Sequence, residues 1–283
     1  MMPRRQRAWW LWPLLPFVAA AAEPGSDAWQ VMEAGAAQVL PEGCGTLRRL
    51  RCTQGAGGAG AAITVVVFNA GRYRVRIIDQ PSGFPLGARP VARTLAEERV
   101  TDPAAVVAIN GGYFARDFRS DGLDFRPDGL FRLAGVEQFP LSEKAVLSGI
   151  LAVDGHGRAA LLPRQADVAG YPAAFQTGPF VVDPGGLPGV KTPGPVARRT
   201  VIATTDDERI LVLVTAPLPL VAVSSLLVGH AADFGVTRVE RALNLDGGPS
   251  TGLAAQTTDG QVLLPELGPV RNVVLFSAQA AGP

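Results

Sequence analysis

Alternation of apolar and polar residues predicts several short β-strands, beginning near residue 63. Residues 63–68 form an almost continuous apolar run, and residues 73–79 alternate between apolar and polar side chains. Short runs of this kind, rich in β-branched residues, are typical of strands. Asn69-Ala-Gly71 lies between them and is typical of a turn. We therefore expect these two strands to form an antiparallel hairpin.

Two later segments have the spacing of helices, at residues 91–100 and 223–234. Each is followed by a short apolar strand pattern, at residues 105–109 and 242–246, an order typical of α/β passages. Asp154-Gly-His-Gly157 indicates a further hairpin. The sequence therefore predicts an α+β fold: a mixed, largely antiparallel sheet with flanking helices in a single catalytic domain.

The first residues are typical of an export signal. Three arginines precede an apolar run over residues 8–20, and small alanines follow it. The run is shorter than the roughly 20 residues of a bilayer span and contains Pro13 and Pro16, which disfavours the alternative of a membrane anchor. We expect a signal peptide at residues 1–22, a lead-in at 23–62, a catalytic domain at 63–283, and a periplasmic or secreted mature chain without a membrane span.

Composition narrows the possible partners. The formal net charge is +1, so no general field attracts nucleic acid, and we expect no nucleic-acid partner. Any binding of an anion must come from a local cluster of residues. Glycine (33 residues) and proline (24 residues) are abundant, which favours many turns between short strands.

Cys44 and Cys52 are the only cysteines. An exported chain permits a disulfide, and the short segment between them suits a stapled hairpin. The alternative is a redox or metal-binding pair, but the spacing is not C-x-x-C and no histidine is near. We predict a Cys44–Cys52 disulfide.

Two glycine-rich turns contain candidate catalytic or ligand-binding residues. Asn244-Leu-Asp246-Gly-Gly248-Pro-Ser250 places an amide, a carboxylate and a hydroxyl around two glycines after a strand. Glycine lets a ligand approach the backbone and its N–H groups. Alone, this segment is equally typical of a tight turn. Asn110-Gly-Gly112 repeats the arrangement, and two such turns in one chain favour a functional site.

Arg198-Arg199-Thr200 supplies guanidinium groups, which bind phosphate or carboxylate bidentately. A surface arginine pair is usually only solvated, but this pair lies between a Pro/Gly loop and a strand, which favours Arg199 as a ligand-binding residue. The chain has only two histidines and lacks both G-x-S-x-G and a P-loop, so a serine-hydrolase triad, a His-rich zinc site and a nucleotide kinase are unsupported. We expect no metal ion and no cofactor.

Four blocks occur in an order that resembles the phosphodiester glycosidase family. They are residues 108–114 (Ala-Ile-Asn-Gly-Gly-Tyr-Phe), 177–179 (Thr-Gly-Pro), 199–200 (Arg-Thr) and 243–250, with a weaker Asp-Gly-Leu block at 121–123. The resemblance covers residues 63–276. The sequence departs from the family at Pro249, where a third glycine is usual. Proline lacks an N–H, so one backbone donor of the family pattern is absent here. Two interpretations are open: the chain has an altered specificity, or it is an inactive member.

The resemblance implies hydrolysis of the glycosyl C1–O bond of a sugar-1-phosphodiester, with release of a phosphomonoester. The expected partner is a phosphorylated carbohydrate substrate. The implied roles are Asp246 as the carboxylate, Arg199 as the phosphate clamp, and Asn110 and Asn244 as hydrogen-bonding residues. The residues implied to bind substrate are Gly111, Gly112, Thr177, Gly178, Thr200, Gly247, Gly248 and Ser250. Asp121 and Asp124 are candidates for a second carboxylate.

Two other functions stay open. A non-catalytic binding module for anionic or phosphorylated cell-envelope polysaccharide would use Arg199 and the glycine turns without needing a carboxylate. A phosphodiesterase that cuts the P–O bond would require a metal ion.

Overall fold

The computed structural model describes most of the chain that follows the predicted signal peptide. The predicted signal peptide (1–22) and Asp121 lie outside the described residues. For residues 32–34, 116–119 and 122–124 only the backbone is described, so the side chain of Asp124 is not. The described ranges are 29–54, 60–80, 88–119 and 122–280.

Most of the described chain is β-strand. The strands are β1 (Trp29–Ala34), β2 (Gln38–Val39), β3 (Gly45–Gln54), β4 (Ala61–Phe68), β5 (Tyr73–Asp79), β6 (Ala105–Asn110), β7 (Phe114–Arg119), β8 (Gly122–Pro127), β9 (Phe131–Leu133), β10 (Val136–Phe139), β11 (Gly149–Val153), β12 (Ala159–Pro163), β13 (Ala173–Thr177), β14 (Phe180–Asp183), β15 (Leu187–Pro188), β16 (Ala197–Thr205), β17 (Ile210–Leu218), β18 (Val239–Asn244), β19 (Leu253–Thr257), β20 (Gly260–Leu264) and β21 (Asn272–Ala278). The helices are α1 (Val91–Thr101) and α2 (Leu220–Gly229).

The strands form three main sheets and one isolated hairpin. The large sheet has the order β1-β3-β4-β17-β16-β18-β14-β15, with β2 paired to β3. The first small sheet is β10-β9-β13-β11-β12, the second small sheet is β20-β19-β6-β21-β5, and β7 pairs with β8 alone. All strand pairs in the described residues are antiparallel.

The predicted α+β class is wrong, because the protein is mostly β. Both helices occur close to their predicted positions, but they have only 11 and 10 residues. Helix α1 packs on the second small sheet and α2 on the large sheet, so they cover separate faces instead of forming a layer. The segment after residue 114 holds β7 to β10. Neither described helix is long and apolar enough to cross a membrane.

The predicted hairpin between β4 and β5 is also wrong. The turn forms, with the Arg72 N–H donating to the Asn69 carbonyl at 3.1 Å. However, β4 pairs with β3 and β17 in the large sheet, whereas β5 pairs with β21 in the second small sheet. At this corner the rings of Phe68 and Phe276 stack with centroids 4.4 Å apart. The chain therefore passes from one sheet to another here, and the buried aromatic pair holds the two sheets together.

The main hydrophobic core lies where the three sheets face one another. It contains Phe68 of the large sheet, Phe131 and Phe175 of the first small sheet, and Phe276 of the second, each at most 1% exposed. Strand β3 of the predicted lead-in belongs to the large sheet through its pairing with β4. The large sheet has a second core on its other face, covered by α2.

The predicted disulfide between Cys44 and Cys52 is not formed, and both cysteines are buried free thiols. Cys44 immediately precedes β3 and Cys52 lies near its other end, and β3 pairs with β4 in unbroken register from Gly45 to Cys52. Eight residues of extended strand span about 26 Å. A disulfide needs Cα atoms within about 7 Å, so these two thiols cannot be joined without unfolding the strand. The same separation rules out a redox or metal-binding pair.

We predict that both thiols react only after unfolding. Burial raises the pKa of Cys44 and of Cys52 to about 11, so neither forms a thiolate readily in the folded protein. Iodoacetamide at pH 8 should leave the native protein unmodified. In denaturant without a reductant it should add two carbamidomethyl groups, counted by mass spectrometry. Adducts that appear in denaturant only after a reductant is added would show that a disulfide exists.

Candidate active site

The ends of three strands, one from each main sheet, meet at a single place. Strand β6 of the second small sheet ends at Asn110, β13 of the first small sheet ends at Thr177, and β18 of the large sheet ends at Asn244. The Thr177 hydroxyl donates to the Asn244 carbonyl at 2.9 Å. The Asp246 N–H donates to the Gly111 carbonyl at 3.0 Å. The two glycine-rich turns of the sequence are therefore in direct contact.

The side chain of Asn110 joins this junction together. Its Nδ2 donates to the Asp246 carbonyl at 2.7 Å. Its Oδ1 accepts the Thr200 hydroxyl at 2.6 Å and the Gly252 N–H at 3.1 Å. Asn110 and Thr200 are both fully buried. In this geometry they position the Asp246 turn, and their polar groups are already satisfied by protein partners.

Asn244 fixes the neighbouring turn from β13. Its Nδ2 lies 2.7 Å from the Leu245 carbonyl, 3.0 Å from the Gly178 carbonyl and 2.6 Å from the Tyr113 hydroxyl, so three acceptors share two hydrogens. The Tyr113 hydroxyl itself donates to the Gly178 carbonyl at 3.0 Å. Burial raises the pKa of Tyr113 well above its usual range, so the phenol stays protonated. Asn244 Oδ1 is buried and has no hydrogen-bond partner in the described part of the chain.

Asp246 is a partly buried carboxylate on the wall of a cleft. Its pKa is raised to about 6, chiefly because burial disfavours the charged form. Hydrogen bonds from the Ser250 side chain and from the Gly247 N–H, which lies 2.8 Å from Oδ1, act in the opposite direction. Asp246 is therefore mostly ionised at neutral pH and gains a proton in mildly acidic solution.

The cleft has a volume of about 850 Å³, which suits a small-molecule ligand. One part of its wall is the Asp246 turn, another is formed by residues around the start of α1, and a third is the loop after β20. Aromatic and proline side chains make much of the remaining surface. The residues that line it are Ala88, Arg89, Pro90, Phe114, Phe125, Asp246, Gly247, Pro249, Ser250, Glu266, Leu267, Gly268, Pro269 and Val270.

Arg199 lies behind this wall and is only 9% exposed. Its Nε donates to the Leu218 carbonyl at 3.2 Å and its Nη2 to the Pro195 carbonyl at 2.5 Å. Neither a hydrogen-bond partner for Nη1 nor a carboxylate partner for the guanidinium occurs among the described residues. Burial lowers the pKa of Arg199. A Cβ at Gly247 would lie 3.7 Å from Nη1, so this nitrogen lies next to the part of the cleft wall that Gly247 forms.

Most of the predicted glycines serve packing. A Cβ at Gly111 would lie 1.9 Å from Asn272 Oδ1, the atom that accepts the Gly112 N–H at 2.8 Å. A Cβ at Gly178 would lie 2.4 Å from the Val146 carbonyl oxygen. Of the five glycines predicted to bind substrate, only Gly248 combines a left-handed φ, of 59°, with open space around its missing side chain. At the other glycines predicted to bind substrate, an added Cβ would meet atoms of the protein itself.

Hydrogen bonds connect the predicted site residues to one another, but not all of these residues line the cleft. Of the described residues that were predicted to bind or act on substrate, only Asp246, Gly247 and Ser250 line the cleft. Asn110, Gly111, Gly112, Thr177, Gly178, Arg199, Thr200 and Asn244 lie behind it, and Gly248 lies in the turn between.

Four residues of the site or its support were missed from the sequence. Tyr113 belongs to the block at residues 108–114 that carries the family resemblance, so the sequence contains a signal for it. Asn272, Arg89 and Glu266 carry no local motif, and only the fold brings them to this region. In the described residues, no group of three or more His, Cys, Asp or Glu side chains is placed to hold a metal ion.

Comparisons with known proteins show the family and the fold of the chain. The chain belongs to the phosphodiester glycosidase family, whose model matches residues 103–277. Its fold is similar to that of the zebrafish N-acetylglucosamine-1-phosphodiester alpha-N-acetylglucosaminidase catalytic domain, auto-inhibited by its pro-peptide, with 14% identity, a TM-score of 0.56, and coverage of 87% of this chain and 88% of that one. A hypothetical protein from Synechocystis shares the fold at 16% identity and a TM-score of 0.52, covering 82% of this chain and 62% of that one. A sequence search of curated proteins finds no match.

We predict that Asp246→Asn stabilises the folded protein at neutral pH. Because its pKa is raised, Asp246 binds a proton more tightly in the folded than in the unfolded chain, so its favourable contribution is complete below about pH 4 and is lost as the pH rises through 6. Asparagine removes the buried charge. We expect the free energy of unfolding to rise by about 1–3 kcal/mol at pH 7.5 and to change little near pH 4.

Urea unfolding at the two pH values measures this difference. Asp259→Asn, in the exposed turn between β19 and β20, is the matched control and should change stability at neither pH. A loss of stability for Asp246→Asn at pH 7.5 would contradict the assignment of a buried, desolvated charge.

Proposed function

We propose that the chain is an exported hydrolase that cleaves the glycosyl C1–O bond of a sugar-1-phosphodiester and releases a phosphomonoester. Membership of the phosphodiester glycosidase family supports this chemistry in general. The name of the zebrafish enzyme favours an N-acetylglucosamine-1-phosphodiester as the first substrate to test. The basic and apolar pattern of residues 1–22 supports export. The observation that carries the proposal is the Asp246 carboxylate, held rigidly on the wall of the cleft.

Asp246 has the properties that the reaction requires at C1. Its backbone is fixed on both sides, by Asn110 Nδ2 at its carbonyl and by the Gly111 carbonyl at its N–H, so the carboxylate costs little reorganisation during reaction. Breaking the C1–O bond leaves positive charge on the sugar, which a nearby carboxylate stabilises. Partial burial strengthens this attraction because fewer water molecules screen it. The phosphate leaves with the bonding electron pair, so the need for a general acid is reduced.

Arg199 is our candidate for binding the phosphate. Its guanidinium is buried without a carboxylate partner in the described residues, and an unpaired buried cation attracts an anion strongly. Arg89 also lines the cleft, but it already pairs with Glu97 at 2.6 Å and contacts Gln80. The uncompensated charge therefore favours Arg199, which lies next to Gly247 of the cleft wall.

We predict that the mature protein releases a phosphomonoester from α-N-acetylglucosaminyl phosphodiesters and that Asp246→Asn lowers kcat by about 1,000-fold or more. A reaction-centre carboxylate contributes several kcal/mol of transition-state stabilisation. In the same assay Arg199→Lys should raise KM, because an ammonium cannot bind phosphate bidentately. Asp259→Asn is the control and should retain full activity.

Reaction in ¹⁸O-labelled water identifies the bond that breaks. Label in the sugar product is expected for C1–O cleavage. Label in the phosphate, together with loss of activity in a chelator, would instead show a metal-dependent phosphodiesterase. Substrate that stays bound and intact for hours would favour the binding module for anionic polysaccharide.

We also predict an acid limb in the pH profile. Because the pKa of Asp246 is raised to about 6 and the ionised form is the active one, kcat/KM should rise with pH to a plateau above about 7 and fall tenfold per pH unit well below 6. Steady-state rates between pH 4 and 8 measure this. A limb centred near 4 would show that the buried carboxylate does not control the reaction.

A further inference from the structure

The loop after β20 carries a second carboxylate, Glu266, into the cleft that contains Asp246. The position of this loop is set by the Asp246 turn itself. The Pro249 carbonyl accepts the Leu267 N–H at 2.7 Å and the Gly268 N–H at 3.0 Å. The two carboxylates therefore stand on segments that are hydrogen-bonded to each other.

The carboxylate of Glu266 is held at one oxygen only. Oε1 accepts the Val91 N–H at 2.9 Å, at the first residue of α1. The carboxylate therefore lies at the N-terminus of α1, where the first N–H groups have no partner within the helix. Oε2 accepts no hydrogen bond from the described residues, so it is available to a ligand or a water molecule in the cleft.

Gly252 makes room for this side chain and couples it to the site. A Cβ at position 252 would lie 2.8 Å from Glu266 Oε2, so glycine is required for the carboxylate to occupy its position. The Gly252 N–H donates to Asn110 Oδ1 at 3.1 Å, and Asn110 Nδ2 holds the carbonyl of Asp246. Glu266 thus packs against Gly252, whose N–H is bonded to the Asn110 side chain that positions Asp246.

On the basis of the proposed function, we infer that Glu266 is the second catalytic carboxylate, which accepts a proton from the water molecule that attacks C1. The water oxygen bonds to C1 while the C1–O bond to phosphate breaks, and the electron pair leaves on the phosphate oxygen. The water proton passes to Glu266 Oε2 and then to solvent. Asp246 stabilises the positive charge at C1. This division of labour between two carboxylates is usual in glycoside hydrolysis.

A purely structural role for Glu266 makes a different prediction. Pro90, the residue before α1, provides no side-chain cap, so the Glu266 carboxylate also completes the start of the helix. Capping needs only an oxygen acceptor, whereas proton transfer needs the carboxylate. Glu266→Gln retains the acceptor for the Val91 N–H and removes the base. Glu266→Ala removes both.

We expect Glu266→Gln to lower kcat by about 100-fold or more, with KM within threefold and the melting temperature within about 2 °C of the wild type. Formate should restore part of the activity of Glu266→Ala, because a small carboxylate can replace the missing base. Glu98→Gln is the matched control: Glu98 lies on α1, bonds to Arg76 at 3.0 Å and does not line the cleft. Its kcat should equal that of the wild type.

The outcomes separate this inference from the proposed function. If Glu266→Gln keeps kcat within threefold of an active wild type while Glu266→Ala lowers the melting temperature, Glu266 is only a helix cap and the inference is overturned, but the role of Asp246 stands. If the wild type releases no phosphomonoester from any sugar phosphodiester tested, the proposed function fails and the inference fails with it.

Discussion

The buried amide of Asn110 is the interaction on which the site depends. It ends a strand of the second small sheet and bonds to Thr200 of the large sheet, to Gly252 and to the Asp246 carbonyl. No water reaches this fully buried position to replace a lost partner, and an unsatisfied buried polar group costs about 1–3 kcal/mol. This cost favours the packing of the second small sheet against the large sheet that completes the network, and that packing positions Asp246.

This rigid support explains how the Asp246 carboxylate can face the cleft and still have a raised pKa. Hydrogen bonds among Asn110, Thr200 and Asn244 and the turns that follow them hold the Asp246 turn in place without a ligand. Asp246 keeps a pKa near 6 because its turn holds it where solvation is incomplete. Pre-organised charge of this kind is the main resource that enzymes use to stabilise a charged transition state.

Pro249 has a structural role in this arrangement. The family pattern usually has a glycine here, and the proline removes one N–H from the turn. Its carbonyl, however, accepts two N–H groups from the loop that carries Glu266 and Leu267. The contribution of this residue therefore comes from its acceptor, and the missing donor is no obstacle to an ordered cleft.

The amino-acid sequence predicts the local features, which are both helices, the hairpin at residues 154–157, and the turns at Asn110 and Asp246, because spacing and turn residues are properties of neighbouring positions. Three features follow from the tertiary packing alone: β4 and β5 belong to different sheets, β3 separates Cys44 from Cys52, and Glu266 enters the cleft. These depend on which strands pair, and residues far apart in the chain, such as Phe68 and Phe276, settle that choice by packing together. An apolar pattern shows that a strand has a buried face but not which partner covers it.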